Sequence, residues 1–317
     1  MKADFEYHER FRAYLQSKGL SSSSQKAYSY SVGKFLSWYK ADLASCQKRD
    51  IMEYLGFLKE KKQSNASRQW HLYALCHFFD FLFQEGVVAG LPTRGIHLRG
   101  VKTRKIPRVY TEWELEQIYD QYYYHYVQGY DDNHIPKNQR EFSRLSRERN
   151  YIMLGLLIYQ GLVPREFNRL RIEDIDIAKA KVKIHGRTRA TDRRLLLEAT
   201  QVGALMRYLM EVRPQFLNYN QDSDRVFLAL PPSGKQKSES QNLGEASRHL
   251  ATQLKKIRPD FQNLRQLRAS RIVAWLSTEG LRRTQYLAGH KSIVSTEEYL
   301  AGDMEQLSQD IERFNPF

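Results

Sequence analysis

The chain has 317 residues, 41% of them apolar and 27% charged, with a formal net charge of +14. That length leaves room for about two domains with ordinary cores. No apolar run reaches the roughly 18 residues of a membrane-spanning helix, and the polar start Met1 to Glu6 lacks a signal peptide's apolar stretch, so a cytoplasmic protein with no membrane partner is expected.

In chain order, a first helix is expected around Phe5, Phe11, Tyr14 and Leu15. Ser21 to Ser24 offers caps for a second, carrying Tyr28, Val32, Phe35, Leu36 and Tyr39 at helical spacing. Asp50 is a cap candidate for a third, with Ile51, Tyr54, Leu55 and Leu58 on one face. Ser67 to Gln84 reads as a fourth (Leu72, Leu75, Phe78, Phe79, Leu82), stopped by Gly86. Together they predict a small helical bundle over residues 1–92. Cys46 and Cys76 lack metal-ligand spacing and read as packed thiols.

Residues 1–108 hold 19 Lys and Arg against 9 Asp and Glu, a bias that suits a polyanionic partner. From Gly90 to Arg108, proline and glycine punctuate the chain without periodicity. Residues 93–108 are therefore expected to be a basic linker, with Arg94, Arg99, Lys102, Arg104, Lys105 and Arg108 tracking a phosphate backbone.

A second domain over 109–317 opens on Thr111-Glu112-Trp113-Glu114, the spacing of a capping box. Segment 121–149 shows no clear pattern until a helix begins near Glu141, running to Gln160 and Gly161. Lys181 to Ile184 and Arg194 to Leu197 read as strands of a hairpin, with Arg189 and Arg193 as further candidates for DNA contact. The expected fold class is mainly α, with one small β-hairpin inside the α-rich second domain. Residues 235–239 read as a surface loop.

Asn263 and Gln266 are spaced to start a helix running to about Glu279, where Gly280 ends it. Arg265 and Arg268 lie three apart on it, so two guanidinium groups could meet one phosphate at its electropositive start. A short helix, Leu281 to Ala288, precedes Gly289 and His290. Ser295-Thr296-Glu297-Glu298 has capping-box spacing ahead of Tyr299. Cationic clamps, an imidazole and a phenol are the parts needed for phosphodiester chemistry without a metal.

The order of an Arg-x-Leu-Arg box, a Leu-x-Gly-His turn and a Ser-Thr-x-x-Tyr segment resembles the tyrosine recombinases and phage-type integrases along nearly the whole chain. The resemblance implies a helical core-binding domain over 1–92 and a catalytic domain over 109–317. It implies a site-specific recombinase that cleaves and rejoins double-stranded DNA through a 3′-phosphotyrosine, of the kind carried by mobile elements, with no metal or nucleotide cofactor. Tyr299 would be the nucleophile, Arg268 a phosphate clamp and His290 the imidazole that positions or deprotonates the tyrosine. Leu307, Ile311 and Phe314 in the tail would dock on a neighbouring copy, giving a tetramer on paired sites.

Three positions depart from the family pattern. Arg265 stands where a histidine or lysine is usual. Val163 takes the place of the first catalytic arginine, with Arg165 two residues later as the candidate substitute. Arg187 stands where the hairpin would carry a lysine to protonate the leaving oxygen. These departures support a second reading, a catalytically weak or inactive relative that recognises or bridges DNA sites.

Overall fold

Caps and aromatic packing explain the four helices that open the chain: α1 (Lys2–Ser17), α2 (Ser22–Trp38), α3 (Lys48–Glu60) and α4 (Asn65–Gln84). The hydroxyl of Ser21 accepts the Ser24 amide at 3.2 Å, and that of Ser64 accepts the Ser67 amide at 3.2 Å. The second of these caps starts α4 ahead of Ser67, where the apolar pattern begins. Asp50 lies inside α3 and accepts the Gln47 amide at 2.8 Å, so Gln47 and not Asp50 is the cap. Gly86, at φ 71°, ends α4 in the left-handed region that a side chain disfavours.

Phe11, Phe35, Phe78 and Phe79 are fully buried between these helices, with Phe35 and Phe79 edge to face at 5.9 Å. Cys46 and Cys76 are free thiols against the same core. Val88 and Ile96 are also buried there, so this unit continues past residue 92 into the stretch expected to be linker. Arg94 is exposed.

The structure, a computed structural model, describes residues 2–98, 108–186, 190–220, 222–231 and 242–300. It divides into two units, Met1–Lys105 and Ile106–Phe317. The second begins with α5 (Glu112–Tyr122), where the capping box is formed: Thr111 Oγ1 accepts the Glu114 amide, and Glu114 accepts the Thr111 amide. The patternless stretch after it opens on a π-helical segment, Tyr123–Gln128, and passes through turns at 129–136 to a helix that starts at Lys137, four residues before the start expected near Glu141. Tyrosines pack around it, with Tyr119 stacked on Tyr151 at 4.5 Å, and a five-residue hydrogen-bond period escapes a 3.6-residue template.

Helix α6 (Lys137–Tyr159) is the centre of this unit, buried almost continuously from Leu145 to Ile158. After it come α7 (Pro164–Phe167) and an antiparallel sheet of β1 (Ile175–Asp176), β2 (Lys181–Ile184) and β3 (Arg193–Leu196), in that order. The β2–β3 register pairs Val182 with Leu195 and Ile184 with Arg193. The sheet has one strand more than the hairpin read from sequence, since β1 is too short to show alternation. Helices α8 (Ala199–Arg207), α9 (Arg213–Phe216), α10 (Gly244–Ile257) and α11 (Leu264–Ala288) complete the unit, with a helical segment at 294–300.

The architecture is mainly α with a small antiparallel sheet, as the sequence indicated. Arg99, Lys102, Arg104, Lys105, Arg187, Arg189, the loop at 235–239 and the tail with Leu307, Ile311 and Phe314 lie outside the described residues. Among the described residues no helix is long and apolar enough to cross a membrane.

Phe79→Ala should cost the first unit about 3–5 kcal/mol, because the surrounding rings cannot close the cavity. Hydrogen exchange on the whole chain checks this. Amides of α4 should lose protection while those of α6 keep it.

Candidate active site

The site is built where the ends of α6 and α11 meet, and a kink within α11 lets its second half return to its first. Gly161 ends α6 at φ 56°, Gly280 kinks α11 at φ 72°, and Gly289 ends α11 at φ 69°. Each conformation favours glycine, and the last sets His290 just beyond the helix. The sequence reading of two helices separated at Gly280 corresponds to this kink. Asn263 caps α11, its side chain accepting the Arg265 amide at 3.0 Å. Gln266, at the spacing read as N3, accepts the Gln262 amide through its side-chain oxygen at 2.8 Å.

Arg268 is half-buried one turn into α11. One terminal nitrogen donates to the Gly161 carbonyl oxygen; the other donates to the Ala288 carbonyl oxygen at 2.7 Å and lies 3.3 Å from His290 Nε2. A guanidinium only donates, so Nε2 must be the acceptor and the imidazole proton sits on Nδ1. Nδ1 donates to Thr296 Oγ1 at 2.9 Å, and Thr296 is wholly buried. The imidazole is thus locked as one neutral tautomer, its Nε2 lone pair facing the cation. Burial, then Arg268, then Arg193 push the His290 pKa down to about 4.

Tyr299, half-buried on the segment 294–300, stacks on His290 with ring centroids 6.0 Å apart and planes 14° from parallel. The Ser-x-x-Glu spacing read as a cap lies inside this helix, because the Thr296 and Glu297 amides already donate to the Ile293 carbonyl. Thr296 turns inward to serve the imidazole instead.

The hairpin is joined to the same turn by its backbone. Ala190 pairs with His290 in an isolated antiparallel bridge, and the Thr191 amide donates to the Gly289 carbonyl at 3.1 Å. The Arg194 amide donates to Tyr286 Oη at 3.1 Å.

Arg193 requires a correction: it cannot contact DNA from this position. Its side chain has no exposed surface and grips Glu166 through both terminal nitrogens, at 2.8 and 3.0 Å. Burial pushes the Glu166 carboxyl up, but the Arg193 contacts and the Val163 amide, 2.9 Å away, outweigh it and hold it below the usual carboxylate range. Sequence reasoning missed Glu166, whose only signal was its place three residues after Val163.

Arg165 and Arg265 are exposed, and neither hydrogen-bonds to Arg268, His290 or Tyr299 among the described residues. Arg108 is tied to Glu114 at 3.7 Å and Asp260 at 3.4 Å, so much of its charge is already matched by carboxylates. Among the described residues no group of three or more His, Cys, Asp or Glu side chains is placed to hold a metal ion. What the site offers is a fixed cation, a neutral imidazole whose Nε2 lone pair faces that cation, and a phenol beside it. That set suits attack on a phosphodiester.

Residues 134–306 match the family model described as the phage integrase family, and residues 8–87 match the phage integrase N-terminal SAM-like domain. The chain is 27% identical over 307 residues to tyrosine recombinase XerC of Oceanobacillus iheyensis, covering 92% of this chain and 90% of the relative. It is 25% identical to tyrosine recombinase XerA of Pyrococcus furiosus, covering 97% of this chain and 93% of that one. The Tn1549 transposon integrase in complex with a circular intermediate DNA is similar in fold, with a TM-score of 0.64 at 14% identity, covering 95% of this chain and 99% of that chain. A lambda integrase dimer bound to a core site gives 0.60 at 16% identity, covering 93% and 94%.

The depressed His290 pKa has a sign that can be measured. A group protonated less readily in the folded state stabilises the fold above its unfolded pKa, near 6.5, and that contribution is lost as pH falls toward the folded value. Between about pH 6.5 and 4, wild type should therefore lose more stability than His290→Gln, by on the order of 1–2 kcal/mol after solvent screening. Urea titrations at several pH values would show it, and imidazole nitrogen resonances should stay those of the neutral ring at pH 6.

Proposed function

Because the chain belongs to the phage integrase family of tyrosine recombinases, we propose that it is an active site-specific recombinase of a mobile element. It breaks and rejoins double-stranded DNA through a 3′-phosphotyrosine at Tyr299. The observation that carries this reading is the convergence of Arg268, His290 and Tyr299 on one turn, with the imidazole locked by Arg268 and Thr296.

Tyr299 Oη attacks the scissile phosphorus, the bond to the 5′-oxygen breaks, that oxygen leaves as a 5′-hydroxyl with a proton drawn from water, and the phosphodiester is conserved as a phosphotyrosine. A 5′-hydroxyl from a partner strand reverses the step, so the exchange needs no outside energy. Arg268 neutralises the charge that builds on the non-bridging oxygens. As Arg268 turns to the phosphate it gives up its contact with His290 Nε2, and the freed lone pair takes the phenolic proton. Arg265, exposed one turn before Arg268, is assigned to the same phosphate, and Arg165 to the flanking backbone. Arg187, between Gly186 and the Ala190 bridge in the sequence, is assigned to the leaving oxygen, which an arginine stabilises well and protonates poorly. Arg94, Arg99, Lys102, Arg104, Lys105, Arg108 and Arg189 are assigned to sequence-independent backbone contacts.

The presence of Val163 where a catalytic arginine is usual favours a second reading, that of a binding-only relative. A duplex nicked next to the cleavage site separates the two, since it traps the covalent adduct on a denaturing gel. Wild type should form the adduct on its own element's ends. Tyr299→Phe should form none, and Arg268→Ala should form it about 100-fold or more slowly with binding within a few fold. No adduct from wild type, with Tyr299→Phe binding equally well, leaves the binding-only reading standing.

We further infer that the apolar positions Leu307, Ile311 and Phe314 dock on a neighbouring copy when paired sites are synapsed. A lambda integrase tetramer bound to a Holliday junction, similar in fold at TM-score 0.60, supports that reading. Deleting residues 303–317 should lower the DNA-bound stoichiometry in sedimentation. An unchanged stoichiometry counts against docking.

A further inference from the structure

A second buried guanidinium lies within the same cluster, and the roles assigned above do not use it. Arg193 leaves the first position of β3 and passes under the His290 turn. A Cβ built on Gly289 would lie 2.8 Å from one of its terminal nitrogens and 3.1 Å from its Cδ, so only glycine lets the turn sit this close. Among the described residues its Nε is buried without a hydrogen-bond partner, a cost that a merely convenient surface arginine would not carry. Its two terminal nitrogens occupy both oxygens of Glu166. That carboxylate also holds the Val163 amide and is close enough to Arg268 to be lowered by it.

Among the described residues, the charged and titratable groups facing the imidazole can be named. Arg268 comes from α11, Arg193 from β3 and Tyr299 from the segment 294–300, while Glu166 from α7 lies behind Arg193. An unpaired carboxylate at Glu166 would pull on Arg268 and offer its negative charge to the space a phosphate must enter. Two carboxylate oxygens bound by one planar fork leave little for a second cation to take.

We propose that Arg193 is a positioning residue of the phosphate site: it masks Glu166 and braces the Gly289–His290 turn, so that Glu166 does not compete with the phosphate for Arg268. The masking is local to this chain's own residues, since position 163 carries a valine and Arg193 reaches the same carboxylate from the strand. The proposal rests on the recombinase reading for its kinetic consequence but not for its electrostatic one.

Three variants of the full-length chain test it: Arg193→Met, Arg193→Lys and the double variant Arg193→Met with Glu166→Gln. Arg193→Met should slow adduct formation on the nicked duplex about 100-fold while DNA binding stays within about threefold. The double variant should recover about tenfold or more of that loss, because no unpaired carboxylate remains. Arg193→Lys, which keeps the charge and loses the fork, should fall between wild type and Arg193→Met. If Arg193→Met does not fold, the double variant and Arg193→Lys still carry the comparison, since neither buries a lone charge.

Imidazole titration by nitrogen NMR gives a readout that does not depend on cleavage. The His290 midpoint should rise in Arg193→Met and return toward wild type in the double variant. An Arg193→Met enzyme as fast as wild type overturns the proposal, as does a folded double variant no faster than Arg193→Met. If wild type itself forms no adduct, the recombinase reading has failed and the titration decides alone: an unmoved His290 midpoint then overturns the masking role.

Discussion

Arg268 is bound by main-chain carbonyl oxygens at the ends of two different helices, Gly161 after α6 and Ala288 at the close of α11. Carbonyl dipoles hold a guanidinium in place without neutralising its charge, whereas a carboxylate would cancel it; Arg268 has two such carbonyl partners. Everything around the site answers to that geometry. The three glycines at positive φ let the helix ends come together, and the imidazole is oriented because its Nε2 must accept from this one donor.

The second cation obeys the opposite rule. Arg193 has no contact with solvent, and a charge so placed survives only as a pair with good geometry. Its bidentate contact with Glu166 meets that condition and sums to no net charge. The cluster thus separates two tasks that arginines often share. One guanidinium presents charge, and the other uses its charge up in holding a turn and a helix start together. Glu166 links them, since its carboxylate also fixes the backbone at Val163.

Much of this was legible in the chain. The capping box at Thr111, the helix stops at Gly86, Gly280 and Gly289, and the order of Arg268, His290 and Tyr299 are local signals, readable because each depends on residues a few positions apart. What escaped reading depends on distant partners. Nothing near Arg193 in sequence shows that Glu166, 27 residues earlier, will cover it, and among neighbouring arginines it looked like one more surface cation. The Ser295 box misled for a related reason. Its spacing is right for a cap, but Thr296 is committed to an imidazole six residues earlier. The tyrosine-rich π-turn after α5 follows a period that a helical template does not test.

The neutral imidazole then acquires a logic that depends on the substrate. In the protein alone, burial and two guanidinium groups make His290 a poor base. A phosphodiester brings one negative charge to Arg268, and that charge offsets the repulsion the imidazole feels from the same guanidinium. Arg193 contributes no such gain, because its charge is already matched by Glu166. Basicity at Nε2 therefore rises when a phosphate is bound and falls when it leaves. On the proposed reading, coupling the base to the anion through a shared arginine would restrain the nucleophile until DNA binds.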